Sequence, residues 1–163
     1  ADFETMKIEL QKWYNKGKCN GALLSEEQQL LRTQYAELLN FASTHDAIIN
    51  GGFYDLQYIN RHHQSEGYDE RYVYSFIRHT AGEKLLILVN FNRTSAYDLH
   101  LRIPAEALRH IGLIGKKEVH YKGLMNTTIE GAITPSKLYV EHDRFSGLPL
   151  RLEPNSAYVI SMY

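Results

Sequence analysis

The hydrophobic period changes once along this chain, at Asn50-Gly51-Gly52, and that change constrains the fold more than any other feature. Before it, apolar residues return at steps of three and four. After it, they alternate with polar ones. A helix imposes the first spacing and a half-buried strand the second. Phe3, Met6, Leu10, Trp13 and Tyr14 make a helical stripe that Gly17, Asn20 and Gly21 break. Ser25 then acts as N-cap, and Gln28 three residues later completes a capping box. Glu26 and Glu27 follow, where the helix dipole favours negative charge. Leu31, Tyr35, Leu38, Leu39 and Ala42 form the stripe of this second helix, residues 26–44, and Leu30 and Phe41 widen it.

Beyond Gly52 the pattern predicts strands. Tyr97, Leu99, Leu101 and Ile103 alternate with Asp98, His100 and Arg102. Val119 and Tyr121 alternate with Glu118, His120 and Lys122; Leu148, Leu150 and Leu152 alternate with Pro149, Arg151 and Glu153. Tyr158, Ile160 and Met162 close the chain. Pro149 points to an edge strand, because proline has no amide to give to a ladder. Residues 72–78 and 84–91 read as a hairpin through Ala81-Gly82-Glu83. Leu85, Ile87 and Val89 face one side and Leu86 and Leu88 the other, so both faces need cover. A second sheet supplies one cover, and helix 26–44 is expected to supply the other. Residues 104–111 suit one short helix between Pro104 and Gly112. The fold class is therefore mainly β: an antiparallel β-sandwich preceded by one or two N-terminal helices.

Composition narrows function mostly by exclusion. The 163 residues suit a single domain with an appendage, not a (β/α)8 barrel, which takes ~250 residues. Lys plus Arg is 18 and Asp plus Glu 19, which leaves no basic field for nucleic acid or for a membrane surface. No run approaches the ~18 apolar residues of a membrane helix. The chain starts at Ala1 with no initiator Met and no signal-peptide pattern, which reads as a piece of a longer chain and leaves the compartment open.

Motifs for chemistry are missing. The histidines are His45, His62, His63, His79, His100, His110, His120 and His142, and none falls in an H-E-x-x-H pattern. Cys19 is the sole cysteine, so paired-thiol zinc ligation and an internal disulfide are excluded; no metal is expected. There is no G-x-S-x-G elbow. Gly112 and Gly115-Lys116-Lys117 lack the spacing of a phosphate cradle, so no cofactor is expected. Asp69-Glu70 and the pair Glu141 and Asp143 around His142 lie in hydrated, turn-like contexts unsuited to acid–base catalysis. Asn92-Arg93-Thr94 and Asn126-Thr127-Thr128 read as turns. The tyrosines are more suggestive. Tyr54, Tyr58 and Tyr68 are candidates to stack on sugar faces, against the commoner use of tyrosine as a buried ring with a wet hydroxyl.

The order of elements then becomes informative. LLSEEQQLLRTQYAELLNFASTHDAIINGGFYDLQY, residues 23–58, resembles the end of the catalytic barrel of α-amylase-type enzymes, glycoside hydrolase family 13. The matching positions are Leu31, Tyr35, Leu38, Leu39, Phe41, Ala47, Gly52 and Phe53. VYSFIRHTAGEKLLILVNFNRTSAYDLHLRIP, residues 73–104, is similar to the first hairpin of that family's C-terminal β-domain, and LRLEPNSAYVISMY, residues 150–163, to its closing strands.

The resemblance implies two parts: residues 1–50, a helical segment like the end of a catalytic barrel, and residues 51–163, a C-terminal β-sandwich domain. It also implies a parent acting on α-glucosidic linkages in starch-like glucans. The family's catalytic carboxylates lie on upstream barrel strands, so no catalytic residue carries over and this piece alone is expected to be inactive. Its partners would be the upstream barrel and an α-glucan. Trp13, Tyr14, Leu30, Leu31 and Phe41 become the expected barrel-facing or partner-facing patch, available for self-association through the helix. The alternatives are a carbohydrate-binding module with exposed tyrosines, or a domain that docks a partner.

Overall fold

The computed structural model describes residues 2–62, 64–140 and 143–163, and the readings of His63, Glu141 and His142 lie outside them. The chain divides into two compact units, Ala1–Thr44 and His45–Tyr163.

The first unit is helical. Helix α1 (Phe3–Tyr14) starts where the Asp2 carboxylate accepts the Thr5 amide at 2.8 Å. It ends where Asn15 and Lys16 take left-handed φ values of 42° and 53° and a 3-10 turn follows. Helix α2 (Glu26–Thr44) opens on the expected capping box. The Gln28 amide donates to Ser25 Oγ at 3.3 Å, and the Ser25 amide donates to Gln28 Oε1 at 3.0 Å. Gln28 Nε2 also donates to Glu9 Oε2 at 2.6 Å, which ties the start of α2 to the middle of α1. Neither helix buries a residue.

The second unit begins at His45, ahead of the glycines that mark the change of period. Helix α3 (Asp46–Ile49) is bound to the β-structure by hydrogen bonds from two directions. Its Ala47 amide donates to Glu83 Oε2 at 2.7 Å. The Arg78 guanidinium donates to the carbonyls of Ala47 and Ile48 at 3.1 and 2.8 Å.

Eight strands follow: β1 (Gly52–Asp55), β2 (Val73–His79), β3 (Lys84–Asn90), β4 (Tyr97–Leu101), β5 (Val119–Met125), β6 (Glu130–Ile133), β7 (Leu148–Leu152) and β8 (Ser156–Met162). Short helical elements intervene among the described residues: α4 (Gln57–Asn60), α5 (Ala105–His110) and a 3-10 turn (Pro135–Leu138). All strand pairs are antiparallel, in a six-stranded sheet of order β1-β2-β3-β8-β5-β6 and a two-stranded sheet β4-β7. Pro149 sits in β7, whose one partner among the described residues is β4, as an edge position requires.

One core joins the two sheets. Ile77, Leu86, Leu88 and Ile160 from the large sheet meet Leu99, Leu101, Leu148 and Leu152 from the small one. Asn92 Oδ1 accepts the amides of Thr94 and Ser95, both at 3.0 Å, so that segment is the turn it reads as. On the other face of β3, Ile87 and Val89 are half-buried. Within the second unit that face is an apolar band. Tyr74 lies opposite Val89, Phe76 opposite Ile87, and Ile87 opposite Val159. The Phe53 and Tyr74 rings lie 5.3 and 5.7 Å from Phe76.

Candidate functional site

The three tyrosines singled out by sequence separate in space by role. Tyr68 is 3 % exposed and belongs to the core, a correction to its candidacy for stacking. The polar run around it suggests a surface, but its ring turns inward and its hydroxyl donates to Gln57 Oε1 at 2.5 Å and meets Ser75 Oγ at 3.0 Å. Burial holds this phenol above the usual range. Tyr54 is half-buried on β1, and its hydroxyl lies 3.1 Å from that of Tyr58 on α4. Burial first, and then the bond with Tyr58, keep the Tyr54 phenol above its ordinary value. Tyr58 is 41 % exposed, so one ring of the three presents an open face.

Around Tyr54 stands a group that the sequence does not reveal. His110, at the end of α5, places its ring 5.6 Å from Tyr54 and 4.8 Å, edge-on, from His79 of β2. His79 Nε2 is buried with no hydrogen-bond partner among the described residues. Burial, then the nearby His110, Arg78 and Lys84, push the His79 imidazole below its ordinary value. No trio of His, Cys, Asp or Glu that could hold a metal ion converges among the described residues. Asp69 is held low chiefly by its hydrogen bond from Arg71, whose guanidinium grips both carboxylate oxygens at 2.9 and 2.8 Å. That spent carboxylate suits a turn.

A second concave surface lies where β5 and β6 meet the loop running toward β7. It is a groove of about 550 Å³ lined by His100, Glu118, Tyr121, Thr134, Lys137 and Phe145, among others. The ring of Tyr121 lies across Gly131, its partner on β6: a Cβ at Gly131 would stand 2.6 Å from Tyr121 Oη. Glycine there lets the ring lie flat on the sheet. Phe145 is 60 % exposed, with its ring 5.8 Å from His100 at 89°. The Phe145 amide donates to Asp143 Oδ1 at 2.9 Å, and Ser146 Oγ links the Val140 amide to the Lys137 carbonyl. Sequence reading misses this groove because its residues come from four separate segments.

The helical candidates are exposed or nearly so. Trp13, Tyr14, Leu30 and Leu31 are exposed and Phe41 is half-buried. Leu30 and Leu31 lie on α2 with the exposed Tyr35, Leu38 and Leu39.

Known proteins place the β-structure. No curated protein sequence matches the chain. A family model described as "Alpha amylase, C-terminal all-beta domain" matches residues 63–162, more than half of the chain. That span covers β2 to β8, which is the small sheet and five of the six strands of the large one. By this match the chain belongs to the family of alpha-amylase C-terminal all-beta domains.

Proposed function

We propose that this chain is the non-catalytic C-terminal part of a glycoside hydrolase family 13 enzyme that acts on α-glucosidic linkages in starch-like glucans. In this reading the β-domain caps and stabilises the catalytic barrel, and the chemistry resides in the barrel. The observation that carries it is the half-open apolar band on the large sheet, formed by Phe53, Tyr74, Phe76, Ile87 and Val89. A sheet stable in water has no use for such a band on its outer face; a sheet that packs on another layer does. The exposed stripe of α2 supports the same reading, because the last helix of a barrel owes its apolar side to its neighbours.

The test is a charge placed in the band. In the enzyme that carries this domain, Val89→Asp is expected to lower the melting temperature and shorten the half-life of activity on soluble starch, with KM unchanged. In the isolated 163-residue chain the same substitution is expected to change stability little, since Val89 is only half-buried there. Equal behaviour of wild type and variant in the enzyme would overturn the capping role.

A further inference from the structure

We propose that the groove between β5, β6 and the Phe145 loop is a surface site for a short stretch of oligosaccharide chain. Three observations meet there. Two aromatic rings line it, and one of them, Phe145, is exposed although its own amide and the neighbouring Ser146 hydroxyl are hydrogen-bonded. Exposing a phenylalanine wastes burial unless something covers the ring. The polar lining is unspent: the side chains of Glu118, Thr134 and Lys137 make no hydrogen bond or ion pair among the described residues. The charges are also mixed, with the acids Glu118 and Asp143 and the base Lys137 lining one concavity.

Mixed charge decides the ligand class. An anion would meet the two carboxylates, and a cation would meet Lys137. A neutral polyol satisfies both, because each hydroxyl can donate to a carboxylate and accept from an ammonium or a threonine hydroxyl. The ring faces then take the apolar C–H side of a pyranose. The site differs from the Tyr54–Tyr58 pair, since no lining residue is shared. Naming an α-glucan as the occupant rests on the enzyme class proposed above; the saccharide class does not.

The experiment uses the 163-residue chain, titrated with maltoheptaose and separately with cellohexaose while amide NMR shifts are followed. Native gels cast with soluble starch run beside it. Maltoheptaose is expected to shift amides in segments 118–121 and 134–140 and around Phe145, and starch is expected to retard the protein. Phe145→Ala and Glu118→Gln should each weaken maltoheptaose binding by about fivefold or more, the loss of one ring contact or one charged acceptor. Tyr58→Ala should bind as wild type. Tyr121 is left intact because it packs on the core. Maltoheptaose that relieves the gel retardation shows that the groove takes a short stretch of the polymer. Cellohexaose binding at the same amides without maltoheptaose binding would keep the groove and overturn the α-glucan reading. Absence of any saccharide shift, or retardation that survives Phe145→Ala and disappears in Tyr58→Ala, overturns the groove itself.

Discussion

Asn60 and Arg102 bind each other as two facing residues of a β-ladder do, although neither lies in a strand. The Arg102 amide donates to Asn60 Oδ1 at 2.8 Å, and Asn60 Nδ2 donates back to the Arg102 carbonyl at 3.0 Å. The Asn60 amide has two further capacities, and both are used: it donates to the Leu56 carbonyl at 2.8 Å and accepts from Ser65 Oγ at 2.7 Å. Asn60 is fully buried, so the side chain acts as a tie between α4, the loop after it and the exit of β4. Asn60→Ala would leave several buried groups without partners, each costing ~1–3 kcal/mol. The expected loss is on the order of 3–5 kcal/mol, a large share of a typical domain's stability. Urea unfolding followed by far-ultraviolet dichroism measures it. A midpoint within error of wild type would show that water fills the gap.

Tyr68 offers a milder test of the same layer. Its hydroxyl joins Gln57 to the buried Ser75 of β2. Tyr68→Phe keeps the ring in the core and removes both bonds, which is expected to cost about 1–2 kcal/mol at neutral pH. The alkaline limb carries a second signature. The folded phenol is raised by burial, so the unfolded chain releases its proton first. The contribution is therefore constant below the ordinary phenol value of ~10 and declines above it. In Tyr68→Phe that decline should shrink. An identical alkaline limb in both proteins would assign it to other tyrosines.

The helices and the long strands were legible because their apolar residues repeat. Leu31, Tyr35, Leu38 and Ala42 state a helix without reference to anything else, and Leu85 to Val89 state a strand. The capping box at Ser25 and Gln28 is equally local. What escaped notice is short or distant. β1, β6 and α4 have four residues each, too few for a period to show. The Asn60 tie spans 42 positions, and nothing near Asn60 announces it. Tyr68 sits in a polar run, and only the folding of β2 and α4 around it turns the ring inward. The groove was illegible for the same reason, since Phe145 in a loop carries no pattern until His100 and Tyr121 arrive beside it.

His79 is expected to make the domain sensitive to acid. Its imidazole is held low by burial and by the neighbouring His110, Arg78 and Lys84, and its Nε2 has no acceptor among the described residues. The unfolded chain therefore takes up this proton first. The stabilisation from the neutral form is complete above the ordinary histidine value of ~6.5 and is lost as pH falls through the lower folded value. The urea midpoint should drop as pH falls below about 6.5. His79→Gln should flatten that slope while leaving the midpoint at higher pH less affected. His110→Gln should reduce the slope in part, because it removes a neighbour that helps hold the His79 imidazole low. A slope unchanged in both variants would place the acid sensitivity elsewhere.

The stripe on α2 should make the isolated chain associate. Leu31 and Leu38 are 54 % and 49 % exposed on the line that Tyr35 continues. Burying one leucine against a partner is worth ~1.5–3 kcal/mol. Several together favour contact between copies when no barrel covers the stripe. Sedimentation velocity should show a weight-average mass that rises with concentration. Leu31→Glu combined with Leu38→Glu should hold it at the monomer value. The helix keeps its cap and buries neither leucine, so its dichroism should change little. The converse measurement uses the whole enzyme, where the proposed reading has the barrel cover the stripe: the mass should then be independent of concentration and the double variant should lose thermal stability. A wild-type chain that stays monomeric at high concentration, together with a whole enzyme indifferent to the double variant, would remove α2 from the barrel.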